Sequence, residues 1–340
     1  MSYLRDLFPA HREPGTAILP SEGRLPPFEG ATGWLNSEPL TPEGLRGRVV
    51  AVQFWTYTCV NWLRTLPYVR EWAEKYGDLG LTVVGVHTPE FGFERNADNV
   101  RAAARNMRVD YPVALDSDYT VWRAFANHYW PALYVADGQG RIRYHHFGEG
   151  EYAMSEMAVQ QLLREAGKEG FDPAPVSVEP QGTEVAADWS DLRTPETYLG
   201  YGRSYGFASP DGGRFDEPHD YPEPSRLGLN EWAPAGRWTL AGHAAMLEEA
   251  PGRIAIRFHA RDANLVMGPA ERGTSVPFRV LIDGEAPGDA RGTDVDEQGN
   301  GTLSEQRLYQ LIRQRKPIAD RLFEIEFLDS GVEAYCFTFG

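Results

Sequence analysis

Apolar and polar positions along the chain fall into two textures. Val49 to Trp55, VVAVQFW, is a continuous apolar run of strand length, and beyond Leu63 the residues Leu66, Val69, Trp72, Ala73 and Tyr76 recur at helical spacing. The pattern predicts a buried strand feeding a helix. Leu81 to His87, LTVVGVH, is a second apolar run after a glycine, as a buried parallel strand would be. A helix over Asn96 to Met107, a short strand over Tyr111 to Asp116 and a helix over Thr120 to Asn127 follow. Ala132 to Ala136 and Ile142 to Phe147 flank Asp137-Gly138-Gln139-Gly140, a strand-hairpin signature, and a helix over Ser155 to Gly167 closes the unit. Such alternation predicts an α/β sheet with helices on both faces. A short hairpin over Trp34 to Gly47 is expected to lead into it.

Phe171 to Gly182 contains Pro173, Pro175 and Pro180, and no period survives them. Beyond Asp188 the chain breaks into short runs separated by Gly, Pro and Asp. Arg253 to Ala260 shows the alternation, with Ile254, Ile256 and Phe258 on one face. Regularly spaced short strands predict an all-β sandwich or jelly roll. Leu308 to Arg315 reads as the helix of this half. The expected organisation is a Pro-, Gly- and charge-rich surface arm over 1–30, an α/β domain over 31–170, a linker over 171–187 and a β-sandwich domain over 188–340.

The chemistry concentrates at Cys59, where the first strand gives way to the first helix. A helix start presents unpaired backbone N–H groups and the positive end of the macrodipole, and both favour thiolate over thiol. Thr56, Thr58 and Asn61 surround it in sequence. A buried, inert thiol is the alternative. Loops at the carboxyl ends of neighbouring parallel strands share one crevice, so His87 and Glu90, at the end of the second strand, are expected beside the thiol. There they would exchange a proton or hold an oxygen; alternatively His87 only caps its strand and Glu90 only begins a loop.

The length of 340 residues suits two domains, each able to bury a core. A formal charge of -16 argues against attraction to nucleic acid or anionic lipid. Two cysteines exclude a disulfide framework and fit a reducing compartment. MSYLRDLFPAHREPG lacks a continuous apolar core, and no later run is long enough to cross a bilayer, so a cytoplasmic protein is expected.

Phe54-Trp55-Thr56-Tyr57-Thr58-Cys59, with Pro67 eight residues beyond the cysteine, resembles the active-site segment of the TlpA/ResA-type and AhpC/TSA redoxins. Those proteins place a second cysteine three residues after the first, where this chain has Trp62. The resemblance implies a thioredoxin-like fold, with Trp130-Pro131 at the family's cis-proline position. Trp130 and Pro131 would then form the wall facing Cys59, with Asn127 and His128 at its rim and Trp62 among the site's aromatic residues. WTYTCVNWLRTLPYVREWAEKY, VVGVHTPEF, YWPALYVAD and HHFGEGEY together resemble the redoxin part of the DipZ-type thiol–disulphide proteins. In that family a membrane segment precedes a thioredoxin-like domain and a sandwich resembling a carbohydrate-binding module; the resemblance here covers the last two parts.

The resemblance implies a thiol-dependent oxidoreductase acting through Cys59, with no cofactor and no metal. Two chemistries stay open: a one-cysteine peroxidase with an antioxidant role, whose sulfenic acid an external thiol reduces, and thiol–disulfide exchange with a thioredoxin-type reductant or other external thiol. Thr56 stands where peroxiredoxins keep Thr or Ser, while Val52 replaces their proline. A binding or scaffold protein that has lost the dithiol is the alternative class, supported by Trp62. In the second domain Tyr198, Tyr201, Tyr205, Trp232 and Trp238 carry sugar-stacking chemistry for a carbohydrate, and a protein is the other candidate ligand; a core role for these rings is favoured. Asp294 to Glu305 has calcium-loop residues at its first, third, sixth and twelfth places, but Gln298 at the fifth and the lack of flanking helices count against a metal. Cys336 is expected to be an inert core thiol.

Overall fold

The computed structural model describes residues 19–340 and divides into two compact units, Met1–Glu179 and Pro180–Gly340. The first unit contains β1 (Gly23–Arg24), β2 (Gly33–Leu35), β3 (Val49–Trp55), α1 (Val60–Gly77), β4 (Leu81–His87), a 3-10 turn (Gly92–Arg95), α2 (Ala97–Asn106), β5 (Val113–Leu115), α3 (Thr120–Ala124), β6 (Ala132–Ala136), β7 (Arg141–Phe147) and α4 (Tyr152–Glu165). Its seven strands form one mixed sheet in the order β1-β7-β6-β3-β4-β5-β2. β3 is parallel to β4, and β4 to β5; β6 runs antiparallel to β3. Every residue of β3 is buried, which is why its sequence is a run rather than an alternation.

The register fixes what meets at the end of β3. Trp55 pairs with His87, so the two loops that follow, carrying Cys59 and Glu90, leave the sheet side by side. Phe54 pairs with Ala132, the first residue of antiparallel β6, so Trp130-Pro131 enters at the same edge.

Several expectations differ here. Residues 1–18 of the expected arm lie outside the described residues; from residue 19 on, β1 pairs with β7, and Leu25 and Phe28 are buried in the core instead of lying on the surface. The hairpin expected over 34–47 is replaced by β2 pairing antiparallel with β5. Residues 171–176 of the expected linker pack on the first unit: Phe171 lies edge-on against Tyr76, and the Val176 amide donates to Glu156 at 2.8 Å.

The second unit is an all-β sandwich of ten antiparallel strands: β8 (Thr197–Tyr198), β9 (Pro218–Tyr221), β10 (Trp232–Leu240), β11 (Ala245–Phe258), β12 (Asp262–Pro269), β13 (Val276–Ile282), β14 (Asn300–Leu303), β15 (Arg307–Arg313), β16 (Arg321–Phe327) and β17 (Val332–Phe339). β11 is shared, pairing with β17 through residues 245–247 and with β16 through 252–258. Fully buried Trp232, Trp238, Phe258, Phe278, Phe323 and Phe327 fill the interior. Trp232 and Trp238 are therefore core, while Tyr201 and Tyr205 are exposed and Tyr198 is half-buried. The expected helix at 308–315 is β15; Leu308 to Ile312 are buried on both faces, so the strand lacks a period of two. Asp294 binds Arg307 at 2.7 Å and Asp296 ties off its own turn through the Gln298 and Asn300 amides, so the calcium-loop carboxylates serve the fold. Cys336 is buried in β17.

Candidate active site

Cys59 is the N-cap of α1, with extended backbone (φ -74°, ψ 109°) and no acidic residue in the first turn behind it. Its carbonyl accepts the first helical bond from the Leu63 amide at 3.0 Å. The thiol stands at the positive end of an 18-residue helix with no carboxylate of that turn to offset it. Cys59 is half-exposed, neither it nor Cys336 is in a disulfide, and its Sγ lies 3.8 Å from the Trp130 carbonyl oxygen. The Trp130–Pro131 peptide is cis. Trp130 is fixed in turn: its indole N–H donates to the Thr88 carbonyl at 3.1 Å, and the Thr88 hydroxyl donates to buried Asp116 at 3.2 Å. Pro131 is buried behind it and Asn127, also buried, donates to the Tyr129 carbonyl at 3.0 Å. The exposed rim is His128 and Tyr129.

The other expected residues divide by depth. Asn61 is half-exposed beside the thiol in the first turn of α1, and Glu90 is half-buried on the loop after β4. Thr56 is fully buried, its hydroxyl 3.5 Å from His87 Nε2. His87 is buried too, boxed edge-on by Trp55 and stacked against Tyr57. Burial holds the imidazole down to about 3, so His87 is neutral at physiological pH and supplies no cation to the thiolate. Trp62 does not line the crevice. It is fully buried, stacked on Trp55 with centroids 4.3 Å apart, and its indole N–H donates to Gln53 at 3.1 Å. The physical reason is periodicity: Trp62 continues the inward stripe of Leu66, Val69, Trp72 and Tyr76 along α1.

Glu94 was not among the expected residues. It is fully buried in the 3-10 turn after β4, and its carboxyl bridges the two loops that flank the thiol. One oxygen accepts from the Thr58 hydroxyl at 2.6 Å and the Thr58 amide at 3.3 Å; the other accepts from the Glu90 and Phe91 amides at 2.7 and 2.9 Å. Burial pushes the carboxyl up to about 7, against the bonds from Thr56, Thr58 and Phe91 that favour its ionised form. Its sequence mark is slight: an acid directly after Phe91-Gly92-Phe93.

A half-exposed thiol at a helix start, facing the carbonyl before a cis-proline on a mixed sheet, defines the thioredoxin-like redoxins. A family model described as Redoxin matches residues 21–162, and one described as Thioredoxin like C-terminal domain matches 194–340. The chain is 30% identical over 141 residues to the thiol-disulfide oxidoreductase YkuV of Bacillus subtilis, covering 42% of this chain and 95% of that protein. It is 41% identical over 261 residues to protein DipZ of Mycobacterium tuberculosis, covering 75% of this chain. The matched part is 36% of DipZ's own length. A solved thioredoxin-like protein in the oxidized form is 33% identical, covering 42% of this chain and 96% of its own, with a TM-score of 0.39. The chain belongs to the redoxin family of thioredoxin-like thiol–disulfide oxidoreductases, and carries that family's fold in front of an all-β sandwich. Among the described residues no helix is long and apolar enough to cross a membrane, and no group of three or more His, Cys, Asp or Glu is placed to hold a metal.

Proposed function

We propose that the protein is a one-thiol disulfide-exchange enzyme with Cys59 as its nucleophile. The observation that carries this reading is half-exposed Cys59 at the N-cap of α1, with its Sγ 3.8 Å from the Trp130 carbonyl oxygen. The Cys59 thiolate attacks one sulfur of a substrate disulfide, forming a mixed disulfide and expelling the other sulfur as a thiolate. With buried Trp62 where the family's second cysteine stands, no thiol in the same turn resolves that adduct. An external thiol or thioredoxin-type reductant in a reducing, cytoplasmic compartment then attacks the mixed disulfide and regenerates Cys59. Trp130 and Pro131 act as the wall against which the substrate sulfur is aligned, and Asn61 borders the opening. Disulfide exchange is preferred over peroxide reduction because Thr56 is turned inward to His87 and does not reach the crevice surface.

A second reading, a binding protein on a redoxin scaffold, is favoured by Trp62 alone. Alkylation of Cys59 against pH separates the two. The enzyme reading requires a thiol that ionises clearly below the free value of about 8.5; an ordinary value supports the binding reading.

A further inference from the structure

The thiol is presented by the turn Thr56-Tyr57-Thr58, and a carboxyl from another loop bonds that turn at Thr58. The Glu94 carboxyl accepts from loop groups on both sides: the Thr58 hydroxyl and amide on one, the Glu90 and Phe91 amides on the other. Thr58 immediately precedes Cys59, and its amide nitrogen is 3.3 Å from Glu94 Oε1. The buried carboxyl thus bonds the residue next to Cys59 along the chain, and a negative charge near a thiol disfavours its thiolate. We propose that Glu94 is the positioning residue for the Cys59 thiol, clamping the turn that presents it and setting, through its own charge, how strongly the thiolate is favoured. This rests on the disulfide-exchange reading above and adds to it a proton-dependent control.

With Glu94 neutral the helix start acts on the sulfur unopposed. With Glu94 ionised, a buried negative charge beside Thr58 disfavours the thiolate. The group titrates near neutrality because burial raises it to about 7, with the Glu90 charge pushing the same way. Tyr119 interacts electrostatically with Glu94, Glu90, Asp116 and Arg95; its hydroxyl bonds the Pro89 carbonyl, and Arg95 is exposed. Thiol and carboxyl titrate as a pair, so the alkylation profile carries two macroscopic steps.

Glutamine is a fitting probe. Its oxygen can accept from the Glu90 and Phe91 amides while its NH2 donates to the Thr58 hydroxyl, so the charge is lost and the clamp is kept except for the long 3.3 Å bond from the Thr58 amide. In full-chain protein carrying Cys336→Ser, iodoacetamide alkylation of Cys59 is followed across pH for Glu94, Glu94→Gln and Glu94→Ala, alongside the Glu side-chain carboxyl 13C resonances. The parent should show an inflection near 7, shared by one carboxyl resonance. Glu94→Gln should lose both and show a single alkylation midpoint about one pH unit below the parent's upper step, a tenfold change in the thiol's ionisation constant. Glu94→Ala should lose the inflection without that downward shift, because the clamp is gone. Superimposed parent and Gln profiles, or no carboxyl titrating between 6 and 8, overturn the proposal while leaving a reactive thiol intact. A parent whose Cys59 is never alkylated overturns both this proposal and the reading it rests on. If Glu94→Ala fails to fold, the parent and Gln profiles with the carbon resonance still decide.

Discussion

Replacing Trp62 by Cys tests whether the buried indole is what makes this a one-thiol site. Residues three apart in a helix face one another, and a rise of about 1.5 Å per residue on a radius of about 2.3 Å sets their Cα atoms roughly 5 Å apart. That separation lies inside the disulfide window of about 4.4–6.8 Å. The new sulfur would therefore reach Cys59 without backbone movement. The substitution has a cost: Trp62 is fully buried, stacks on Trp55 at 4.3 Å and satisfies the Gln53 oxygen at 3.1 Å. Removing such a side chain costs about 3–5 kcal/mol, a large part of an ordinary domain's stability. The expected outcome is a folded protein with a lower urea midpoint. After treatment with oxidised glutathione it should lose its adduct to an internal disulfide, while the parent keeps a stable mixed disulfide. A folded Trp62→Cys protein that holds the adduct as long as the parent does would refute the geometry.

Other consequences follow from the buried ionisable groups. Glu94 is raised from 4.5 to about 7, so its stabilising neutral form is fully present below about 4.5 and is lost as pH rises through 7. At about 1.36 kcal/mol per unit this is roughly 3 kcal/mol. Hydrogen exchange of the β3 amides, compared between parent and Glu94→Gln at each pH, should converge toward acid and diverge toward neutrality; a pH-independent difference would contradict it. His87 has the opposite sign: lowered from 6.5 to about 3, it contributes stability above 6.5 that is lost as pH falls through 3. A His87→Gln protein should resist acid unfolding better than the parent, read as the pH midpoint of the near-ultraviolet circular dichroism. Arg64 and Glu149 form an ion pair at 2.8 Å with both side chains almost sealed from solvent. Arg64→Met should cost about 3–5 kcal/mol by leaving Glu149 buried alone, and a second change, Glu149→Leu, should recover much of it in urea unfolding.

The sequence made the crevice legible because the sheet order follows from local pattern. Two apolar runs, Val49 to Trp55 and Leu81 to His87, end in register, so a thiol just past one and a loop just past the other must be neighbours. Depth was not legible. His87 and Glu90 stand three residues apart in the sequence, yet one is sealed and neutral while the other is half-exposed. Glu94 looks like any loop acid until the fold closes over it. Trp62 read as part of the aromatic site although the stripe through Leu66 and Val69 already turned it inward. In the second unit, Arg307 to Arg313 spaces its apolar residues as a helix would, because a strand buried on both faces has no polar face to mark it.

Intact-protein mass after one equivalent of oxidised glutathione or of hydrogen peroxide, in the parent and in Cys59→Ser, bears most directly on a single exchange thiol at the start of α1. The account predicts rapid gain of one glutathione by the parent, its removal by added thiol, slower reaction with peroxide, and no adduct in Cys59→Ser. Equal adduct formation by the two proteins, or none in either, would contradict it.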